Sequence, residues 1–402
     1  MDSNRTKNNE NKVKRLSAED IYGLTLEVLQ AHFGLAREDA QYDEQAIWDV
    51  IIAASVERET VETMSDILED SPSANTVRDA VKGVLPDDEN IAELEAELNE
   101  MLQAHVPKKL LSRPLRCAID LVAIPYHGKH DDGDEAIRRG KAKSGTTHFH
   151  TYATLYTLKH NKRYTLALVF VRKSDKALDV LEKLQKRADE LHVGVKRLLL
   201  DREFDLVQST RLGNNGVIGY LNKQSFPSII PLTIRGKEGG TRALVKGRKK
   251  SYVTTYTRNS TIYPTETFTV HVACKYSQGR YKRRGIVCFA YIVIGELKMH
   301  PLQIYTEYRF RFGIETSYRM MNQVRARTTS KSATLRFFYI GLALLMLNLW
   351  SFVKWSYLFV SRSGPRQVLH RLLPLARWRL WLWEVIKLRL GFSLAIVIPS
   401  PG

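Results

Sequence analysis

Apolar positions recur at helical spacing through the first hundred residues and switch to strand-like alternation after Leu115. Ser17-Ala18-Glu19-Asp20 has the pattern of a helix N-cap and opens a helix over Ile21–Phe33. Ala46–Ser55 is an apolar helix, and 57–68 carries Val61, Met64, Ile67 and Leu68 on one helical face. A turn at Asp70-Ser71-Pro72-Ser73 leads into a short helix, Asn75–Val84, that stops before Pro86. Ile91–His105 is a further acidic amphipathic helix. A helix, a short polar turn and a second helix suit a helix-turn-helix, and they suit a helical bundle for partner contacts as well.

The β-rich part begins with a strand over Arg116–Ile124 and a polar loop over Tyr126–Thr147. Thr151–Leu158 and Tyr164–Val171 read as a hairpin about residues 160–162. An amphipathic helix over Ala177–Leu191, a strand over Lys196–Leu200, a helix over Glu203–Leu212 and a short strand over Val217–Leu221 follow. Three antiparallel strands, helix, strand, helix, strand is the order of a ribonuclease-H-like core. Residues 226–300 alternate again (Tyr252–Tyr256, Thr267–Val272, Ile286–Ile294) around the basic loops Lys246–Lys250 and Arg280–Arg284. Phe337–Val353 is uncharged and Leu-rich. At about 17 residues, with Gly341 and Asn348 inside it, it reads as a buried core helix and not a membrane span. The tryptophans Trp378, Trp381 and Trp383 near the C-terminus also admit an interfacial helix.

The expected fold class is α/β: a ribonuclease-H-like core with an all-β insertion before the last site-bearing helix, and an N-terminal helical domain. The boundaries are a disordered tail, 1–15; the helical domain, 16–110; the first part of the core, 111–225; the β-rich insertion, 226–300; the returning core helices, 301–360; and a basic tail, 361–402.

Charge sharpens this division. The chain of 402 residues carries a net +18, yet residues 1–110 hold 11 Lys/Arg against 24 Asp/Glu and the other 292 hold 50 against 19. So basic a body implies a polyanionic partner, because each neutralised phosphate releases counterions. Cys117, Cys274 and Cys288 have no zinc-ribbon spacing and imply a reducing compartment. The polar N-terminus has no signal-peptide pattern.

Three acids stand out against this background. Asp120 lies inside the apolar run 117–124, where burial is costly unless a cation compensates. Asp201 ends the apolar run 195–200, where an ordinary helix cap is the plainer alternative, and Glu203 or Asp205 could act in its place. The third is Glu315 in Tyr308-x-x-Arg311-x-x-x-Glu315-x-x-x-Arg319, a helical spacing that puts Tyr308, Arg311, Glu315 and Arg319 on one face. Two strand-borne aspartates and a helix-borne glutamate are the ingredients of a two-metal phosphoryl-transfer site. His127, His130, His148 and His150 flank the acidic run 131–135, which reads better as a loop between strands than as a metal cluster. His148 and His150, alternating on one face, would suit a phosphate.

At these residues the chain resembles the DDE transposases of prokaryotic insertion sequences, in the group with a Tyr-Arg-Glu-Lys signature around the third acid. Tyr308, Arg311 and Glu315 fit that spacing, and Asn322 stands at the lysine position, leaving Arg319 or Arg325 to supply a cation. The resemblance covers roughly residues 113–350. It implies catalysis and metal ligation by Asp120, Asp201 and Glu315, and DNA-phosphate contact by Tyr308, Arg311, Arg319 and Arg325. It also implies Mg²⁺, with Mn²⁺ able to substitute, as cofactor. The partners would be double-stranded DNA (inverted-repeat ends and target) and a second copy of the chain, with no membrane. The expected activity is strand cleavage and joining of 3′-OH ends to target DNA in the prokaryotic cytoplasm. The alternative is a transposon-derived DNA-binding protein without catalysis.

Overall fold

Ser17 accepts a hydrogen bond from the Asp20 amide while the Asp20 carboxylate accepts one from the Ser17 amide. This capping box starts α1 (Ala18–His32). The structure, a computed structural model, describes residues 15–35, 41–158, 163–205, 216–259, 265–277, 285–360 and 367–393. The tail expected over 1–15 lies outside them except for Arg15. So do the hairpin turn at 160–162, most of the 203–212 helix, the basic loop at 280–284, and parts of the C-terminal tail.

Side-chain caps set the next helices: Asp43 for α2 (Glu44–Glu57), Thr60 for α3 (Val61–Ile67) and Ser73 for α4 (Ala74–Val84). The helix expected over 57–68 is therefore shorter, because Arg58 turns left-handed (φ 63°) to end α2 and Thr60 opens a new helix. The acidic helix is α5 (Ile91–Gln103), followed by the single turn α6 (Lys108–Leu111).

The strands then build one large sheet. β1 (Leu115–Pro125), β2 (Arg138–Lys143), β3 (Thr146–Thr157) and β4 (Thr165–Val171) are antiparallel neighbours. β3 pairs with β1 along one edge, and with β2 and β4 in succession along the other. After α7 (Ala177–Glu190), β5 (Val195–Leu199) returns parallel to β1. α8 (Val217–Lys223) follows, and β6 (Ser228–Pro231) lies parallel to β5.

Two expectations are corrected here. Residues 217–221, expected as a strand, form α8, since Val217, Ile218 and Leu221 lie on one buried helix face. The β-rich segment is also not a separate insert. β7 (Tyr252–Arg258), β8 (Glu266–Ser277) and β9 (Gly285–Ile294) continue the same sheet through the β6–β9 pairing, giving the order β2-β3-β1-β5-β6-β9-β8-β7. Cys274 and Cys288 sit opposite each other on the consecutive strands β8 and β9 with sulfurs 3.0 Å apart.

The chain closes with α9 (Pro301–Arg309), α10 (Phe312–Met321), α11 (Ala333–Tyr357), the short pair β10 (Phe359–Val360) and β11 (Gln367–Val368), and α12 (Leu375–Leu390). Strand pleat sorts the core. Cys117, Ile119 and Leu198 face α7 and α8, while Ala118 and Leu199 face Ile304 and Ile314 of α9 and α10. Val122, Tyr152 and Phe170 carry that second face into a cluster with α11 and the N-terminal helices.

α11 is long and apolar enough to cross a membrane, but 83% of its most apolar stretch is buried inside the protein. The C-terminal region is likewise not a free tail. α12 buries Trp378, Leu382 and Ile386, and Arg389 reaches the buried Asp49 of α2 at 3.0 Å.

α5 also covers the outer edge of β4. Glu95, Asn99 and Gln103, four apart on the helix, bond the backbones of Phe170, Leu168 and Leu166, two apart on the strand, at 2.6–2.8 Å. The match is metrical: four helical residues rise about 6 Å and two strand residues about 6.6 Å. Asn348 of α11 does the same for Thr165 at 3.0 and 2.9 Å. Replacing Asn99 by Leu leaves the Leu168 N–H and C=O buried and unpaired. Unfolding free energy from urea denaturation should fall by roughly 2–4 kcal/mol, whereas Glu100→Ala, on the exposed face of α5, should change it little.

Candidate functional site

β1 and β5 run parallel with Ala118 opposite Leu199, so Asp120 and Asp201, each two residues further on, emerge side by side on the same sheet face. Asp120 remains within β1, opposite Thr154 of β3, and its carboxylate accepts from the Leu121 amide at 3.0 Å. Asp201 follows β5 and accepts from the Arg202 amide at 2.7 Å.

Between the two carboxylates lies Arg311. Its Nη2 is 2.9 Å from Asp120 and 3.4 Å from Asp201, and its side chain is only 5% exposed. Burial pushes the Asp120 carboxyl up to about 7; Arg311 opposes that shift and Asp201 adds to it.

A second clamp of opposite sign lies one step back. Arg116 and Arg197, four residues before the two aspartates, both bind Glu307, four residues before Arg311. Arg116 reaches its two oxygens at 3.1 and 3.0 Å, and Arg197 reaches one at 2.8 Å. Two strand arginines thus hold a helix glutamate, and two strand aspartates hold a helix arginine. Sequence reading missed Arg116, Arg197 and Glu307, although the repeated Arg-x-x-x-Asp spacing at 116–120 and 197–201 was visible.

The segment bearing the signature is not one straight helix. α9 ends at Arg309 and α10 begins at Phe312, joined by tight bonds such as Arg311 N–H to the Tyr308 carbonyl at 3.0 Å. Tyr308 and Glu315 therefore do not share one helix face. Tyr308, expected at a phosphate, is turned inward: it is buried and donates to the Leu200 carbonyl at 3.1 Å. Arg311, also expected at a phosphate, is engaged by the two aspartates.

Glu315 is exposed on α10 and stands between two grooves. One holds Asp201, Tyr308 and Arg311; the other holds Arg319, Asn322 and Arg325. Tyr318, a turn away, donates to the Asp120 carbonyl at 2.9 Å and so fixes α10 over β1. Among the described residues, no group of three or more His, Cys, Asp or Glu side chains is placed to hold a metal ion. The donor chemistry of Asp120 and Asp201 suits a hard divalent cation, but the place such an ion would take is filled by the Arg311 guanidinium.

The other candidates separate cleanly. Asp205 is fully buried, bound to Arg258 at 2.5 Å and to the Thr233 amide at 2.6 Å, which makes it a structural anchor. His150 is buried against Tyr126, while His148 lies tilted against His130 with ring centres 3.8 Å apart. Phosphate access at His150 is thus lost, since its ring faces the interior, whereas His148 is half-buried.

No model of a known protein family matches this chain, and no curated protein does. Among solved structures it is similar to the piggyBac transposase in a synaptic complex with hairpin DNA. The TM-score is 0.47 at 11% identity, over 94% of this chain and 73% of that one. At that score the likeness is coarse, and the functional reading rests on the residues of the site.

Two outcomes test this geometry. Glu307→Leu leaves Arg116 and Arg197 without their shared anion and should lower stability by roughly 3 kcal/mol, read from urea midpoints. The Asp120 carboxyl is held protonated more firmly in the folded protein than in the unfolded one. Its contribution therefore disfavours folding increasingly as pH rises from about 4 to about 7 and is level above that. Unfolding measured across pH should show the stability of Asp120→Asn relative to the parent rising through that window.

Proposed function

We propose that this protein is a DNA strand transferase of the DDE transposase type, cleaving DNA strands and joining their 3′ ends to a target. The observation that carries the reading is the juxtaposition of Asp120 and Asp201. Two carboxylates, one within β1 and one just past the end of the neighbouring parallel strand β5, are brought together on one face, where a cation offsets the cost of holding both charges. The ribonuclease-H-like reading is supported by the order β4-β3-β1-β5-β6, with β3 antiparallel to β1 and β5 and β6 parallel to it.

Asp120, Asp201 and Glu315 are the residues that would hold Mg²⁺. When bound, the ion would polarise a phosphate and make a water or 3′-hydroxyl a better nucleophile at neutral pH. The chain's own part is positional. β1 and β5 fix the two aspartates, Tyr318 and the Glu307 clamp fix the helices over them, and Glu315 opens on the mouth of the site. Arg311 holds the aspartates' charge, and its guanidinium must turn aside for another cation to enter.

A second reading, a transposon-derived DNA-binding protein without catalysis, is favoured by the same ion pair, since an acid pair already neutralised by arginine needs no metal to be stable. Asn322 at the lysine position points the same way. The two part on one experiment: strand cleavage and joining on DNA carrying the ends that flank the gene, with Mg²⁺ or Mn²⁺. Glu315→Ala should retain duplex binding and lose cleavage by roughly 10²–10³-fold or more, the scale of removing a charge-stabilising group. Specific binding with no cleavage in the parent under either metal would establish the second reading.

A further inference from the structure

The groove on the far side of Glu315, about 540 Å³, is lined by Arg58, Lys143, Arg319, Asn322, Arg325 and Arg327. We propose that it binds a phosphodiester of a nucleic-acid strand, with Arg325 as its half-buried anchor and Arg58 as a contribution from the N-terminal helical unit. The proposal rests on the reading of Glu315 as part of a nucleic-acid site and adds to it a specific place for the backbone.

Arg325 carries the argument. Its Nε is buried without a hydrogen-bond partner, and among the described residues no ion pair or side-chain hydrogen bond is recorded for it. The charged groups acting on it are Arg336, Arg327 and Arg58, all cations, and burial and these neighbours together disfavour its charge, with only the Tyr152 phenol opposing. A half-buried guanidinium among cations, with no counter-ion, is costly, and an anion entering the groove is what would relieve it.

Arg58 supports the same reading independently. It holds a left-handed conformation, φ 63°, at the end of α2, where glycine or asparagine would sit without strain. That turn brings a guanidinium from the acidic helical unit to the groove. Two carboxylates stand nearby: Glu59, 3.7 Å from Arg327 on an exposed face, and Glu315 at the rim. Five cations against two acids leave the groove positive.

The class of ligand follows from shape and place. The groove is open and shares Glu315 as a wall with the groove that holds Asp201 and Arg311. A strand crossing the aspartate pair would therefore lay an adjacent phosphate among planar, fork-shaped donors. Asn322 lines this groove as well, between Arg319 and Arg325 in the chain.

The test uses the full chain with two probes, inorganic pyrophosphate and a DNA duplex. Pyrophosphate should raise the melting temperature of the parent. Arg325→Met should melt no lower than the parent in phosphate-free buffer, lose the pyrophosphate shift, bind duplex roughly tenfold more weakly, and show a slope of log K against log salt reduced by about one. Arg58→Gly, which relieves the left-handed strain, should be at least as stable and yet also bind duplex more weakly with a reduced slope. Arg371→Met, an exposed cation elsewhere, should change none of these.

A pyrophosphate shift that persists in Arg325→Met, or duplex binding whose salt slope is unchanged in both variants, overturns the proposal. If the variants behave as expected while the parent cleaves no DNA, the phosphate site stands and the transferase reading alone falls.

Discussion

The paired ion clamp between two strands and one bent helical segment organises this protein. Arg116 and Asp120 on β1 repeat as Arg197 and Asp201 on β5, and Glu307 and Arg311 answer them with reversed charges. Neither half is tolerable alone in so buried a setting, because removing one partner leaves a charge without compensation. Once β1 and β5 pair in parallel, four charges are fixed on one face of the sheet. The helices can then seat in one register only, with Glu307 on the arginines and Arg311 on the aspartates. Hydrophobic packing of Ile304 and Ile314 supplies attraction, and the charges supply the alignment.

That alignment also explains the bend between α9 and α10. A straight helix would place Arg311 and Glu315 on one face and carry both toward the aspartates together. The tight turn at 310–311 sends Arg311 inward and leaves Glu315 at the mouth. The arrangement is therefore an acid pair closed by an internal cation, with Glu315 held outside it. The guanidinium between the aspartates keeps the two carboxylates from repelling each other.

Much of the core was legible from alternation and from polar residues in apolar runs. Asp120 stood out because an acid within an apolar strand demands a reason, and the strand–helix alternation placed Asp201 beside it. The misreadings have physical causes. Val217–Leu221 is too short for periodicity to separate strand from helix, and tertiary packing decided for helix. The β-rich segment reads as an insert because its connections are long, and its membership in the main sheet depends on β6–β9 pairing between residues sixty or more apart. The fate of Tyr308 and Arg311 turned on one local bend that helical spacing cannot reveal. Glu307 was passed over because its partners are distant in sequence.

The covering of β4 by α5 bears on how the chain comes to be made. α5 precedes β4 by some sixty residues, so its amide and carboxylate side chains are synthesised before the strand edge they will occupy. An emerging β4 meets a waiting partner of matched spacing, and its unpaired backbone is not offered to neighbouring chains. The acidic helical unit therefore acts as an internal escort for the basic sheet. A chain shortened to the sheet and its site helices would carry an open, strongly apolar edge, Leu166-Ala167-Leu168-Val169-Phe170, free to recruit strands from other copies.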